Sequence, residues 1–210
     1  MISAAKALQS LKEGNERFVS DTCDNNLRNS SRRSELVAKQ EPFAIILGCS
    51  DSRVPAELVF DQGLGDLFVI RVAGNIAAPS QVASVEYCAA TFNTQLVVVM
   101  GHTNCGAINA TISELQLPVA ERSANLSAIV NRISPSVESL LETDLINQPE
   151  NLKRAAVRSN VRACVAHLQH GSKILEELIA GNGLQIVGAE YSLESGKVEF
   201  FDSNQAVATG

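Results

Sequence analysis

Two short clusters of side chains in the sequence have the chemistry of metal ligands. Cys49 and Asp51 form a Cys-x-Asp pair, and His102 and Cys105 form a His-x-x-Cys pair. Thiolate, imidazole and carboxylate are ligand types that zinc takes in proteins. Arg53 follows Asp51 two residues later, so its guanidinium can hold that carboxylate in a bidentate pair. The spacing predicts a zinc site in which Asp51 either binds the metal or leaves it for Arg53.

The position of Asp51 decides what such a zinc ion could do. When the carboxylate pairs with Arg53, a fourth coordination position can take water, and an open position separates catalytic from structural zinc. The metal then lowers the pKa of water enough to supply hydroxide near neutral pH. Two thiolates donate more charge than neutral imidazoles, so we expect a weaker Lewis acid than in an all-histidine site.

A simpler interpretation applies to each ligand candidate taken alone. Cys49 and Cys105 could be buried free thiols, which are common, and His102 could be an ordinary histidine at the end of a strand. Chance is a poor explanation for two such motifs in one sequence when each follows a predicted strand. The joint pattern therefore favours a metal site.

The elements that position these residues predict an α/β fold. Uninterrupted apolar stretches are typical of parallel strands covered on both faces, and three occur here, at Phe43–Leu47, Leu67–Ile70 and Leu96–Met100, while Leu184–Ala189 predicts a fourth strand. The metal motifs follow the first and third, at the edge where open α/β sheets place their sites. A turn at Ser195-Gly196 predicts a returning edge strand. We expect a mostly parallel central sheet of four strands with an antiparallel edge strand, flanked by helices.

Helical patterns separate the predicted strands. They comprise a first helix capped by Ser3, a crossover helix at Gln81–Phe92, a helix at 106–115, two short helices within 117–148 separated near Pro135, and one long helix at Asn151–Ala180. The length of 210 residues favours one domain. We predict a single domain, 1–210, with an N-terminal helical arm (1–35) and an α/β core (36–210).

Composition excludes several functional classes. The formal net charge is -6, and no run of basic residues suggests a surface for nucleic acid. The longest apolar stretches are too short to span a bilayer, and the first 18 residues read as an amphipathic helix instead of a signal peptide. The 5 cysteines are odd in number and sparse, which favours thiol or metal chemistry over a disulfide framework. We therefore expect a cytoplasmic protein without nucleic-acid or membrane partners.

The motifs resemble the signature segments of a known enzyme family. The sequence is similar to β-class carbonic anhydrases in the segments CSDSRVP (Cys49–Pro55), RVAGN (Arg71–Asn75), GHTNCG (Gly101–Gly106), LKEGNERF (Leu11–Phe18) and IVGAEY (Ile186–Tyr191). The resemblance covers nearly the whole chain. It implies reversible hydration of carbon dioxide to bicarbonate and a proton by zinc-bound hydroxide. It also implies a homodimer or homotetramer with sites near the dimer interface.

The resemblance also assigns roles to individual residues. It implies that Cys49, His102 and Cys105 bind zinc permanently. Asp51 would bind zinc only in a closed state, and in the open state it would pair with Arg53. For the substrate pocket it implies contacts from Gln40, Phe68, Tyr87 and the backbone N–H of Gly106. Taken alone, Phe68 and Tyr87 would read as packing residues, and Gly106 as a glycine permitting a tight turn.

One departure from the family pattern bears on regulation. Members that bicarbonate locks in the closed state carry a tryptophan three residues before the first zinc cysteine. That position is Ile46 here, and the chain has 0 tryptophans, although Arg71 of the same region is present. The departure predicts the constitutively open type.

Two rival functions stay open at this stage. Relatives on the same scaffold hydrolyse carbon disulfide or carbonyl sulfide with similar ligands, and pocket width decides between these substrates. Alternatively, four ligands could form a closed structural zinc site with no turnover. Arg53 argues against the structural site, since a permanent aspartate ligand needs no such partner.

Overall fold

A five-stranded sheet organises the computed structural model, which describes residues 2–24, 29–118 and 125–201. Its strands are β1 (Ala44–Gly48), β2 (Leu67–Arg71), β3 (Leu96–His102), β4 (Gln185–Tyr191) and β5 (Val198–Phe201). The order is β2-β1-β3-β4-β5, with the first four strands parallel and β5 antiparallel to β4. The predicted fold class is confirmed.

Helices cover both faces of the sheet. They are α1 (Ala4–Val19), α2 (Ser30–Glu35), α3 (Ala56–Val59), α4 (Pro79–Phe92), α5 (Gly106–Leu115), α6 (Ser127–Leu141), α7 (Pro149–His170) and α8 (Lys173–Asn182), with 3₁₀ turns at Ala73–Asn75 and Asp144–Asn147. Side chains alternate between the faces along each strand. Ile46 packs in the cluster with α1 and α3, whereas Ile45 and Leu47 pack in the cluster with α4, α7 and α8.

The N-terminal helix begins where the sequence predicts. The hydroxyl of Ser3 accepts a hydrogen bond from the N–H of Lys6 at 3.4 Å, as a helix-capping serine does. Ala4, Ala7 and Leu11 lie one turn apart and are buried against the sheet face. Burial of this apolar stripe attaches α1 to the core.

Two predicted helix boundaries are wrong. Pro135 lies inside the continuous helix α6, where the buried side chains of Ile133 and Val137 hold both halves against the core. The long helix predicted at Asn151–Ala180 is two helices, because α7 ends at His170 with Gly171 as its C-terminal cap, and Ser172 caps α8 by accepting a hydrogen bond from the N–H of Leu175 at 3.2 Å.

Parts of the predicted segments fall beyond what the structure describes. Residue 1 and residues 25–28 of the predicted arm, 119–124 of the 117–148 segment, and 202–210 at the C-terminal end lie outside the described residues. Among the helices of the described ranges, none combines the length and the apolar character needed to cross a membrane.

Candidate metal centre

Adjacent parallel strands bring the two predicted clusters to one edge of the sheet. β1 pairs with β3 so that Gly48 lies opposite Met100. Cys49 directly follows β1, as predicted. His102 was predicted to follow its strand, but it is the last residue of β3. Cys105 precedes α5 as its N-terminal cap residue. The carboxyl ends of parallel strands share one edge, so the three side chains converge there.

The converging side chains form a compact buried group. The ligand atoms of Cys49, His102 and Cys105 all lie within 4.8 Å of one another, and the two sulfur atoms are 4.0 Å apart. The three residues are 5%, 0% and 1% exposed, respectively. Two sulfurs and one imidazole nitrogen at this spacing are a donor set that suits zinc.

The ring of His102 is oriented for metal binding. Its Nδ1 lies 2.9 Å from the carbonyl oxygen of Thr103. A carbonyl only accepts, so Nδ1 carries the proton and Nε2 carries the free lone pair. Nε2 is buried without a hydrogen-bond partner among the described residues. An unprotonated, unpartnered nitrogen facing two sulfurs fits a metal ion, and the Thr103 carbonyl is the usual kind of partner for a ligating histidine.

The hydrogen bond between the two sulfur atoms shifts the pKa values of Cys49 and Cys105 in opposite directions. The hydrogen bond from Cys105 lowers the pKa of Cys49 to about 4, and backbone N–H groups that include that of Gly74 lower it further. The pKa of Cys105 is raised well above its ordinary range, because its proton is shared with Cys49 and because the thiol is buried. The pair therefore holds one thiolate, and binding of a metal cation would release the remaining proton.

Asp51 lies beside this group but pairs with Arg53. Arg53 donates from Nε to Oδ1 at 2.9 Å, from Nη2 to Oδ2 at 2.8 Å and from its backbone N–H to Oδ1 at 3.0 Å. These bonds hold the pKa of Asp51 well below its usual range. Oδ2 also lies 3.8 Å from Nε2 of His102, so the carboxylate borders the ligand group while it stays in the arginine fork.

Arg71 holds the loop that carries Cys49 and Asp51. Its Nε donates to the carbonyl oxygen of Cys49 at 3.0 Å, and its Nη2 donates to that of Asp51 at 2.6 Å. The sequence placed Arg71 only near the second bicarbonate site of the family. Its function as a clamp on the loop was missed, because the contact joins residues on different strand ends.

Cys105 lies at the beginning of α5. Backbone N–H groups of Ala107 and Ile108 hydrogen-bond its sulfur, which favours the thiolate. A Cβ atom added to Gly106 would meet no atom within 4 Å, so the tight-turn explanation for this glycine has no steric basis. Gly106 instead leaves space beside the N-terminus of the helix.

Comparison with known proteins decides the family. The carbonic anhydrase family model matches residues 44–198. Carbonic anhydrase 2 of Mycobacterium tuberculosis is 39% identical over 201 residues, 93% of this chain and 92% of that protein. The chain belongs to the β-class carbonic anhydrases. Carbonic anhydrase of Mycolicibacterium smegmatis is 37% identical, over 92% of this chain and 91% of that protein.

Solved β-carbonic anhydrases share the fold. The structure of the β-carbonic anhydrase CcaA aligns with a TM-score of 0.75 at 27% identity, over 93% of this chain and 87% of that one. A β-carbonic anhydrase of Sordaria macrospora, described as tetrameric, aligns with a TM-score of 0.74 at 24% identity, over 82% of this chain and 87% of that one. The family model and the curated relatives show that this chain is an enzyme, a carbonic anhydrase.

Three of the predicted substrate contacts, Gln40, Phe68 and Tyr87, lie apart from the metal group of the same chain. Phe68 precedes the carboxyl end of β2 by three residues, roughly 10 Å at about 3.3 Å per residue. Tyr87 is 55% exposed on α4, and its ring lies 6.3 Å from that of Phe68. Gln40 precedes the amino end of β1 and lines a surface groove of about 650 Å³ together with Phe92. Gln40 and Cys49 of the same chain therefore lie at opposite ends of β1.

Proposed function

We propose that this carbonic anhydrase hydrates carbon dioxide reversibly with zinc held by Cys49, His102 and Cys105. The observation that carries the proposal is a buried Cys-His-Cys group beside an Asp51 carboxylate that pairs with Arg53. When bound, zinc lowers the pKa of water and supplies hydroxide near neutral pH. Three permanent protein ligands are the number found in catalytic zinc sites.

Asp51 and Arg53 act together as the catalytic pair. The fork of Arg53 keeps the carboxylate charged and directed, and Oδ2 borders the ligand group at 3.8 Å from Nε2 of His102. A charged carboxylate accepts a hydrogen bond from the attacking water and orients its lone pair toward carbon dioxide. If Asp51 left Arg53 for the metal, it would become the fourth ligand and close the site.

The enzyme is of the constitutively open type in this proposal. The position that carries tryptophan in bicarbonate-locked members is Ile46, which is buried in the core between β1 and α1. The guanidinium of Arg71 is engaged by two loop carbonyls. Both features favour a structural use of this region over binding of a second bicarbonate.

A second copy of the chain completes the substrate pocket. Phe68, Tyr87 and Phe92 form a partly exposed aromatic group, and the glutamine side chain of Gln40 is exposed nearby. An apolar gas needs an apolar pocket with a few polar groups. Gln40, Phe68 and Tyr87 of one copy would then face the metal group and the Gly106 N–H of the other, in a homodimer or homotetramer.

Stopped-flow hydration assays test the proposal directly. Purified enzyme is assayed with carbon dioxide, carbonyl sulfide and carbon disulfide, and the zinc content of the same sample is measured. We expect rapid carbon dioxide hydration with about one zinc per chain. Release of sulfide with negligible hydration would assign the enzyme to the sulfur substrates. A cobalt-substituted spectrum unaffected by anions would indicate a closed structural site.

A further inference from the structure

Asn160 on α7 is a buried polar residue that the proposed chemistry does not use. It is 1% exposed, and its Nδ2 donates a hydrogen bond to the carbonyl oxygen of Gly74 at 2.9 Å. A carbonyl is an acceptor only, so the amide nitrogen must be the group that faces it. A buried amide is unfavourable unless it makes such a bond, which indicates that the contact is specific.

Gly74 connects Asn160 to a metal ligand. The N–H of Gly74 points at Sγ of Cys49 at 3.4 Å. The N–H and the carbonyl lie on either side of the same Cα, so holding the carbonyl restricts the rotation that aims the N–H. Asn160 therefore reaches Cys49 through the backbone of one residue.

The turn around Gly74 needs such an anchor. Gly74 has φ 71° and the next residue, Asn75, has φ 45°, so two successive residues are left-handed. Asn75 is not a glycine, and although asparagine reaches this region more easily than most residues, the conformation has a small cost that surrounding contacts offset. A Cβ atom on Gly74 would lie 2.8 Å from Cδ1 of Ile133, so α6 also packs tightly on the turn.

We propose that Asn160 is a positioning residue for the metal centre, fixing Gly74 so that its N–H donates to the Cys49 thiolate. The inference rests on the proposed zinc site. An N–H donor stabilises the thiolate charge and fixes the direction of the sulfur, and such supporting bonds typically change metal affinity 10–100-fold. Asn160 would thereby tune how firmly Cys49 holds zinc.

Zinc release from the loaded protein tests this inference. Asn160→Leu keeps the branched shape of the side chain, with a larger volume, and removes the donor, whereas Asn160→Ala removes the donor without overpacking. We expect both variants to release zinc to excess chelator roughly tenfold faster than wild type. The thiolate-to-cobalt absorption band of the cobalt forms should also shift. Val165→Ala, buried on the same helix, is the matched control for lost stability and should leave both readouts unchanged.

Wild-type release rates and cobalt bands in folded Asn160 variants would overturn the inference. Cadmium-substituted wild type provides a measurement that does not depend on variant folding. We expect scalar coupling between the Gly74 amide proton and cadmium through the sulfur, and its absence would equally reject the link. These readouts do not use catalysis. Wild type that binds zinc but lacks hydration activity would refute the proposed function and leave this inference standing.

Discussion

The metal edge of the sheet and the aromatic surface differ in how complete they are within one chain. The metal edge (Cys49, His102 and Cys105) is buried, and every ligand is supplied by adjacent strand ends. The aromatic surface (Phe68, Tyr87 and Phe92) is partly exposed, with Tyr87 at 55%. The difference teaches that the proposed metal site has all its ligands within one chain, whereas the proposed substrate pocket would need a second copy.

Removing a ligand is expected to have the largest effect on the metal edge. Cys49→Ala should reduce bound zinc from about one per chain to near zero, because two of the three donors bind far more weakly than the full set. Atomic absorption on the purified variant measures this. Cys88→Ala removes another buried sulfur, away from the site, and should keep full zinc. Full zinc occupancy in Cys49→Ala would contradict the ligand assignment.

Breaking the carboxylate pair should separate catalysis from metal binding. Asp51→Asn is expected to lower carbon dioxide hydration roughly 100-fold while zinc content stays unchanged, because the charged acceptor is lost and the three ligands are kept. Arg53→Ala should also lower the rate strongly by freeing Asp51 to bind the metal. Arg53→Lys serves as the control, since an ammonium keeps the charge but not the two-pronged contact. Retention of full activity in Asp51→Asn would refute the switch.

Charging the surface near Gln40 tests whether a second copy is needed. Val37 is 86% exposed and lines the groove beside Gln40. Val37→Arg should weaken self-association at least about tenfold, as loss of an interface contact worth about 1.4 kcal/mol or more does. Activity should fall with the oligomer fraction while zinc content is unchanged.

Sedimentation velocity and hydration rates, compared at matched concentrations, provide the measurement for Val37→Arg. Ile174→Arg places the same charge on an exposed apolar position of α8 and should leave assembly intact. A monomeric Val37→Arg protein with wild-type activity would show that one chain is sufficient.

The sequence predicted that Cys49, His102 and Cys105 converge at one edge of the sheet, because the information that places them is local. Each ligand adjoins a strand whose apolar run is unmistakable, so the position of the strand end fixes the position of the side chain. Contacts between distant segments were not readable in this way. Asn160 and Gly74 are 86 positions apart, and no periodicity links them.

The missed helix boundaries have the same cause. The apolar pattern continues across Gly171, so the sequence favours one helix, but Ser172 forms a tertiary contact by donating to Glu86 of α4 at 2.6 Å while it caps α8. Pro135 predicted a break, yet burial of its helical neighbours outweighs the lost backbone hydrogen bond. Tertiary packing decided both boundaries.

A second arginine-paired carboxylate, Asp61, sharpens the contrast with Asp51. The Asp61 side chain is 0% exposed and accepts a hydrogen bond from Nε of Arg17 on α1 at 2.6 Å. Burial acts to raise the pKa of Asp61, but hydrogen bonds from Arg17 and from the N–H of Asp24 outweigh it, so the pKa is lowered. Both carboxylates pair with an arginine, but Asp61 attaches the N-terminal helix and the segment that follows it to the core.

A lowered pKa gives Asp61 a defined effect of pH on stability. The contribution is fully present above the pKa of the unfolded state, about 4, and is lost as pH falls through the lower folded value. Asp61→Asn should lower the free energy of unfolding at pH 7 by about 1–3 kcal/mol, as the loss of a charged hydrogen bond does. The difference from wild type should shrink below pH 4. Urea unfolding across this range measures it, with zinc content and hydration at pH 7 unchanged. A stability difference that grows toward acid would reverse the sign and reject the assignment.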